Sequence, residues 1–343
     1  MLAIRYSHGQ PMRLHISDLV NTLISGEINP DTGKFQPYPE TKEQRQLIEK
    51  LIERLGAGGI LVIETGDRFY DAKMWLIDRL PEDVREDVIV LSQTGMLGHR
   101  YDPNKNTYVL FMNAAEDLLN EQQRQQWGLY KNQIIGIALK AADAFLGEKN
   151  PSFIDKDAET TVTNYAKGSV AIRTHQLAIS VQRKELYIEI NEVEAINAEI
   201  RRLGFANRLQ IQNGDNRREK IFTLIELLKA GFAEISIMRA SELYIDMLFI
   251  LGFNKGRGLE SLAQNKWFIQ LLKNNGISWR EAFFTGDSLR GNDRHAAEFV
   301  IKQGGIAGSV GQSDYDHPED LPQGVVYEKG FKGEAGMIRF LTS

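Results

Sequence analysis

The chain has 343 residues, no cysteine and a formal net charge of -5, with 42% hydrophobic and 25% charged residues. Its length exceeds what one core usually organises, so two domains, or one domain carrying an insertion, are expected, and the composition excludes a disordered protein. The acidic balance argues against general nucleic-acid or anionic-membrane binding, and the absence of cysteine removes disulfides, thiol catalysis and thiolate metal sites.

The first hundred residues alternate strand and helix signals. "RLHIS" (13–17) reads as a strand, and "TKEQRQLIEKLIERLG" (41–56) aligns Leu47, Ile48, Leu51, Ile52 and Leu55 on one helical stripe that ends at Gly56. "GGILVIETG" (58–66) and "DVIVLSQTG" (87–95) are short continuous apolar runs of the kind buried on both faces of a parallel sheet, and a helix pattern from Phe69 to Leu80 separates them. This βαβαβ order predicts an α/β fold with a doubly wound, Rossmann-like parallel sheet.

From about 113 to 247 the texture changes. A Gln-rich helical segment precedes two β-like runs at 169–180 and 185–191, two helices, and the strand-like "AEISIM" and "ELYIDMLF". The βα grammar then returns in "NKGRGLESLAQNKWFIQLLKNNG" (254–276), "EAFFTGD" (281–287), "NDRHAAEFVIKQGG" (292–305) and "IAGSVG" (306–311). Residues 1–112 and 248–343 are therefore expected to form one core domain, with 113–247 inserted as a mixed α/β block. The six histidines show no zinc-ligand spacing, and "GAGG" at 56–59 precedes its strand, the wrong order for a dinucleotide fingerprint. No apolar leader follows "MLAIRYSHGQ", and the longest apolar run is far short of about 20 residues, so a soluble, cytoplasmic protein is expected.

In an open α/β sheet, ligands bind at the carboxyl ends of the strands. The polar residues there are Asp18 with Asn21 and Thr22, Thr65 with Gly66 and Asp67, and Asp287 with Ser288, Asn292 and Asp293; Lys255 starts a helix nearby. Taken singly, each is most simply a cap, a turn residue or a solvated lysine. Carboxylates converging from different strands repel unless a cation lies between them, and Mg²⁺ accepts such oxygen ligands while keeping waters for a phosphorylated substrate.

"SDLVNTL", "VIETGD", "FNKGRGLESL" and "FTGDSLRGNDRHAAEFV" resemble the four motifs of the haloacid dehalogenase superfamily, in its Mg²⁺-dependent phosphatase branch with a cap inserted between the second and third motifs. The resemblance covers about 200 residues at the two ends. It implies a small phosphorylated substrate, such as a sugar phosphate, and Mg²⁺ as cofactor. It also implies that Asp18 is a nucleophile forming an aspartyl-phosphate, that Thr65 and Lys255 bind the phosphate, and that Asp287 and the carbonyl of Val20 hold the metal.

Two positions depart from the family pattern. The family places a second Asp two residues after the nucleophile, as general acid and base, where this chain has Val20; losing such a group costs about 10²–10⁴ in rate. Its two late acids stand four residues apart, whereas Asp287 and Asp293 stand six apart, so Asp287 is the firmer metal ligand and Ser288, Asn292 and Asp293 compete for the remaining place. Arg173 and His175 alternate onto one face of an expected strand and are candidates to reach the substrate or supply the missing proton. The alternative function is that of a catalytically silent relative that binds a phosphorylated ligand or a protein partner.

Overall fold

The computed structural model describes residues 12–29, 35–150, 153–155, 160–206, 208–210, 218–231, 236–241, 243–249, 252–311, 314, 318–327 and 332–342. The chain divides into two compact units: Met1–Gly26 with Pro37–Leu118 and Asn254–Ser343, and Glu27–Gln36 with Leu119–Phe253.

The first unit is built on an eight-stranded sheet. Its order is Val325–Tyr327, Ile306–Ser309, Ala282–Gly286, Leu14–Ser17, Ile60–Glu64, Val88–Ser92, Leu97–Asp102 and Thr107–Asn113. The first six run parallel and the last two form an antiparallel edge hairpin. Every residue of Ile60–Glu64, Val88–Ser92 and Ala282–Gly286 is buried, which is why these strands read as unbroken apolar runs.

Helices cover both faces of this sheet. Leu14, Ile16, Val62 and Phe284 pack with Leu259, Leu262 and Phe268 from the helices Lys255–Gln264 and Lys266–Asn274, and with Ala296 and Val300 from Arg294–Lys302. On the opposite face Phe283 packs edge-on against Phe340 of the helix Gly333–Thr342, which neighbours Lys42–Gly56. The doubly wound α/β expectation is therefore met. Where the sequence shows one helix over 69–80, the structure has a helix Phe69–Trp75 followed by a 3₁₀ turn Ile77–Arg79.

The second unit holds a six-stranded antiparallel sheet in the order Ser236–Ser241, Tyr244–Leu248, Gln176–Val181, Gly168–Ile172, Thr160–Tyr165 and Phe153–Asp155. The alternating Val170, Leu177, Ile179, Ile245 and Met247 bury against the helices Glu121–Phe145, Val193–Arg202 and Lys220–Gly231. The expected single β-run at 169–180 is instead a hairpin, and 185–191 is mostly 3₁₀ turns around a two-residue strand, Tyr187–Ile188. Among the described residues, no helix is long and apolar enough to cross a membrane.

His15 in the first strand lies edge-on to Phe283 at 5.3 Å, and its Nε2 has no hydrogen-bond partner among the described residues. Burial, and then the charge of Arg54, lower its pKa from 6.5 to about 3. The unfolded chain takes up a proton below about pH 6.5 that the folded chain refuses, so His15 subtracts stability as pH falls through that value. Replacing His15 with Gln should therefore flatten part of the loss of melting temperature between pH 7 and pH 4.

Candidate functional site

Asp18 follows directly on the first strand. Its backbone N–H donates to the Thr285 carbonyl at 2.9 Å, and Thr285 Oγ1 donates to Ser17 Oγ at 2.9 Å, which locks the first strand to Ala282–Gly286 where both end. The Leu19 N–H donates to the Asp18 carboxylate. The chain then turns through Asn21, which has a left-handed φ of 58° of the kind Asn tolerates better than most residues, and the Asn21 side chain hydrogen-bonds the Asp287 carboxylate.

Lys255 is the first residue of its helix, after the N-cap Asn254, whose side chain accepts from the Arg257 N–H at 3.1 Å. Side chains on a helix lean toward its N-terminus, so a lysine in the first position reaches past the helix end. Here its Nζ donates to Asp18 Oδ1 and to Asp293 Oδ1, both at 2.5 Å, and the residue is only 1% exposed.

Asp293 is fully buried in this cluster, despite its stretched spacing from Asp287. The intervening residues coil into a turn: Gly291 N–H donates to the Ser288 carbonyl at 2.9 Å, Asp293 N–H donates to the same carbonyl at 3.1 Å, and Ser288 N–H donates to Asp293 Oδ2 at 3.1 Å. Asp314, not singled out in the sequence, fastens this turn by accepting from Leu289 N–H at 2.9 Å and Ser309 Oγ at 2.7 Å. Glycine is needed beside it, because a Cβ on Gly286 would lie 2.5 Å from Asp293 Oδ2. Of the three residues competing with one another, Asp293 joins the cluster, Ser288 supplies its backbone N–H, and Asn292 is exposed.

One oxygen each of Asp18, Asp287 and Asp293 lie within 4.8 Å of one another. The electrostatics follow from crowding. Burial, opposed by Lys255 and reinforced by Asp293, pushes Asp18 up to about 7. Burial and the two neighbouring aspartates push Asp287 well above the carboxylate range. Burial disfavours the Lys255 ammonium, yet Asp18, Asp293 and Glu64 outweigh it and hold the lysine charged. Three acidic oxygens this close, with one ammonium between them, suit a hard divalent cation such as Mg²⁺ in donor type and in charge.

Thr65 is buried at the end of the adjacent strand, and its Oγ1 accepts from the Asp67 N–H at 3.0 Å. Val20 carries a partly buried apolar side chain with no proton to give. Arg173 and His175 lie in the second unit, in the turn between Gly168–Ile172 and Gln176–Val181 and not on a strand, which corrects the expected shared face. Arg173 donates to Gln176 Oε1 at 2.8 Å and to the Tyr244 hydroxyl at 3.0 Å. Burial, then Lys131, lower His175 to about 4, so it is neutral at pH 7 and carries no imidazolium proton.

Replacing Lys255 with Met would leave buried carboxylates without their cation. We expect a loss of about 3–5 kcal/mol at pH 8, read by denaturant unfolding, and a smaller loss at pH 5, below the raised pKa of Asp18.

No protein-family model and no curated protein matches the chain. Among solved structures, the chain is similar to the C-terminal domain of trehalose-6-phosphate phosphatase from C. albicans, at 10% identity over 96% of this chain and 91% of that one, with a TM-score of 0.51. It is also similar to the sucrose-phosphatase from Synechocystis sp., at 14% identity over 97% and 98% of the two chains, with a TM-score of 0.49. A haloacid dehalogenase-like hydrolase from Bacteroides thetaiotaomicron matches at 13% identity over 96% and 98%, with a TM-score of 0.47. Identities this low speak to fold alone, and the first of the three carries that statement. In fold, then, the chain has a Rossmann-like parallel-sheet core whose sequence is interrupted by a second α/β unit, and this fold is similar to that of the C. albicans phosphatase domain.

Proposed function

We propose that the chain is a Mg²⁺-dependent phosphohydrolase acting on a small phosphorylated metabolite of the sugar-phosphate class, by way of an aspartyl-phosphate on Asp18. The observation that carries this reading is the Lys255 ammonium shared between Asp18 and Asp293 beside Asp287, a buried cluster assembled from both ends of the chain. The sugar-phosphate class is supported by the motifs and by a fold shared with a trehalose-6-phosphate phosphatase domain.

Asp18, Asp287 and Asp293, with the Val20 carbonyl, would hold Mg²⁺, which when bound supplies charge neutralisation to the phosphate oxygens. The chain's own residues do the rest. The Asp18 carboxylate attacks phosphorus, an O–P bond forms, and the ester P–O bond breaks with its electron pair on the leaving oxygen. Lys255 holds Asp18 in line and offsets the charge of the transferred group, and the Thr65 hydroxyl binds a phosphate oxygen. Water then cleaves the acyl phosphate and returns Asp18. Because position 20 bears no acid, the leaving oxygen takes its proton from solvent, so turnover on alkyl phosphates should be slow.

Val20 favours a second reading, a binding protein that retains the phosphate site without turnover. Phosphate release from a panel of sugar phosphates with Mg²⁺ separates the two. On the first reading the native chain releases phosphate, Asp18→Asn abolishes the release, chelation with EDTA stops it, and Mg²⁺ restores it. Introducing an acid, Val20→Asp, should raise the rate by about 10²–10⁴. Native and Asp18→Asn proteins that cannot be told apart on every substrate would defeat the enzyme reading, and activity appearing only with Val20→Asp would establish the second.

A further inference from the structure

The strand Val88–Ser92 pairs with Ile60–Glu64, and the residues that follow it, Gln93, Thr94 and Gly95, all take a left-handed φ, of 51°, 63° and 86°. Glycine adopts that conformation freely. For a β-branched threonine it is an outlier that persists only where the surroundings over-determine it, and such strain gathers at functional sites. Thr94 carries a second cost, since it is 2% exposed and its Oγ1 has no hydrogen-bond partner among the described residues.

The conformation turns the backbone toward two neighbours. On one side, the Thr94 N–H donates to the Thr65 carbonyl at 2.8 Å and the Gln93 N–H donates to the Asp67 carbonyl at 2.9 Å, so two successive donors grip the loop that carries the Thr65 hydroxyl. On the other, a Cβ on Gly95 would lie 2.7 Å from Gly258 Cα, and a Cβ on Gly258 would lie 2.7 Å from Gly95 Cα, so the two backbones meet with no side chain between them. Gly258 belongs to the first turn of the helix Lys255–Gln264, where its N–H donates to the Asn254 carbonyl at 3.1 Å. Residues three apart share a helix face, so this contact lies on the side of the helix that carries Lys255.

We propose that the turn Gln93–Gly95 sets the spacing between the two phosphate-binding groups: its N–H donors hold the Thr65 loop, and its contact with Gly258 holds the helix start that bears Lys255, which makes Thr94 and Gly258 positioning residues of the site. The proposal rests on the phosphohydrolase reading, which gives Thr65 and Lys255 a common ligand. It also explains why the strain at Thr94 is retained, because relaxation to an ordinary negative φ would withdraw the N–H from Thr65.

Calorimetric binding of inorganic phosphate in the presence of Mg²⁺ tests the spacing without any turnover. Gly258→Ala inserts a methyl group into the backbone contact and should weaken phosphate binding by about tenfold, in a protein that keeps its native circular dichroism. Alanine favours a helix over glycine, so the control is Gly136→Ala in the helix Glu121–Phe145, where a Cβ meets nothing within 4 Å and the affinity should stay native. Thr94→Pro removes the donor and cannot adopt the left-handed φ, and it should weaken binding by at least about tenfold, whereas Thr94→Gly keeps donor and conformation and should recover most of that loss. If Thr94→Pro does not fold, Gly258→Ala decides alone. A Gly258→Ala protein that melts at a lower temperature yet binds phosphate like the native chain would show packing and nothing more, and would overturn the proposal. A native chain that binds no phosphate with Mg²⁺ would defeat the functional reading, and this proposal with it.

Discussion

One buried ammonium joins the two ends of this chain. Lys255 Nζ sits 2.5 Å from Asp18 Oδ1 and 2.5 Å from Asp293 Oδ1, so residues 237 and 38 positions apart in the sequence meet on one charge. Much of the surrounding structure serves that meeting. The Asp18 N–H to Thr285 carbonyl bond brings two strand ends level, the helix start aims the lysine outward past its own N-terminus, and Gly286 leaves space for the Asp293 carboxylate. A charge pair removed from water gives little net stability and is severely destabilising when only half of it is present, which is the pattern of a functional arrangement and not of a core element.

The arrangement is also unbalanced. Four carboxyls, Asp18, Glu64, Asp287 and Asp293, surround a single ammonium, and three of them carry raised pKa values because burial and mutual repulsion disfavour their charge. Two outlets relieve such crowding: protonation, and a divalent cation, as proposed for the three aspartates. Glu64 lies beneath the helix against Gly95 and Gly258, whereas each aspartate follows a strand end or precedes a helix at the sheet's carboxyl edge.

The core was legible in the sequence wherever a strand is buried on both faces, because Ile60–Glu64, Val88–Ser92 and Ala282–Gly286 write themselves as apolar runs flanked by turn residues. The edge hairpin Leu97–Asp102 and Thr107–Asn113 was not, although "DPNKN" marks its turn and Asn106 takes a left-handed φ of 50° there. The hairpin within 169–180 was hidden because Arg173–His175 lack the Gly or Asn that usually announces a turn. At the site, Asp18, Lys255 and Asp287 stand at element ends where chain order alone places them. Asp293 was obscured because spacing along the chain says nothing about how the Ser288–Gly291 turn coils back, and Asp314 because its role is to hold another loop's backbone. Glu64 looked like one more strand residue; that two glycines from separate segments close on it appears only in the structure.

The central claim is that the Asp18 carboxylate and its neighbours hold a cation and a phosphoryl group together. Beryllium fluoride, which mimics a phosphoryl group attached to a carboxylate, tests it without any assumption about substrate. Fluorine NMR of the native chain should show bound fluoride resonances that require Mg²⁺ and disappear in Asp18→Asn. No bound signal in the native chain with Mg²⁺ present, or an unchanged signal in Asp18→Asn, would contradict the account.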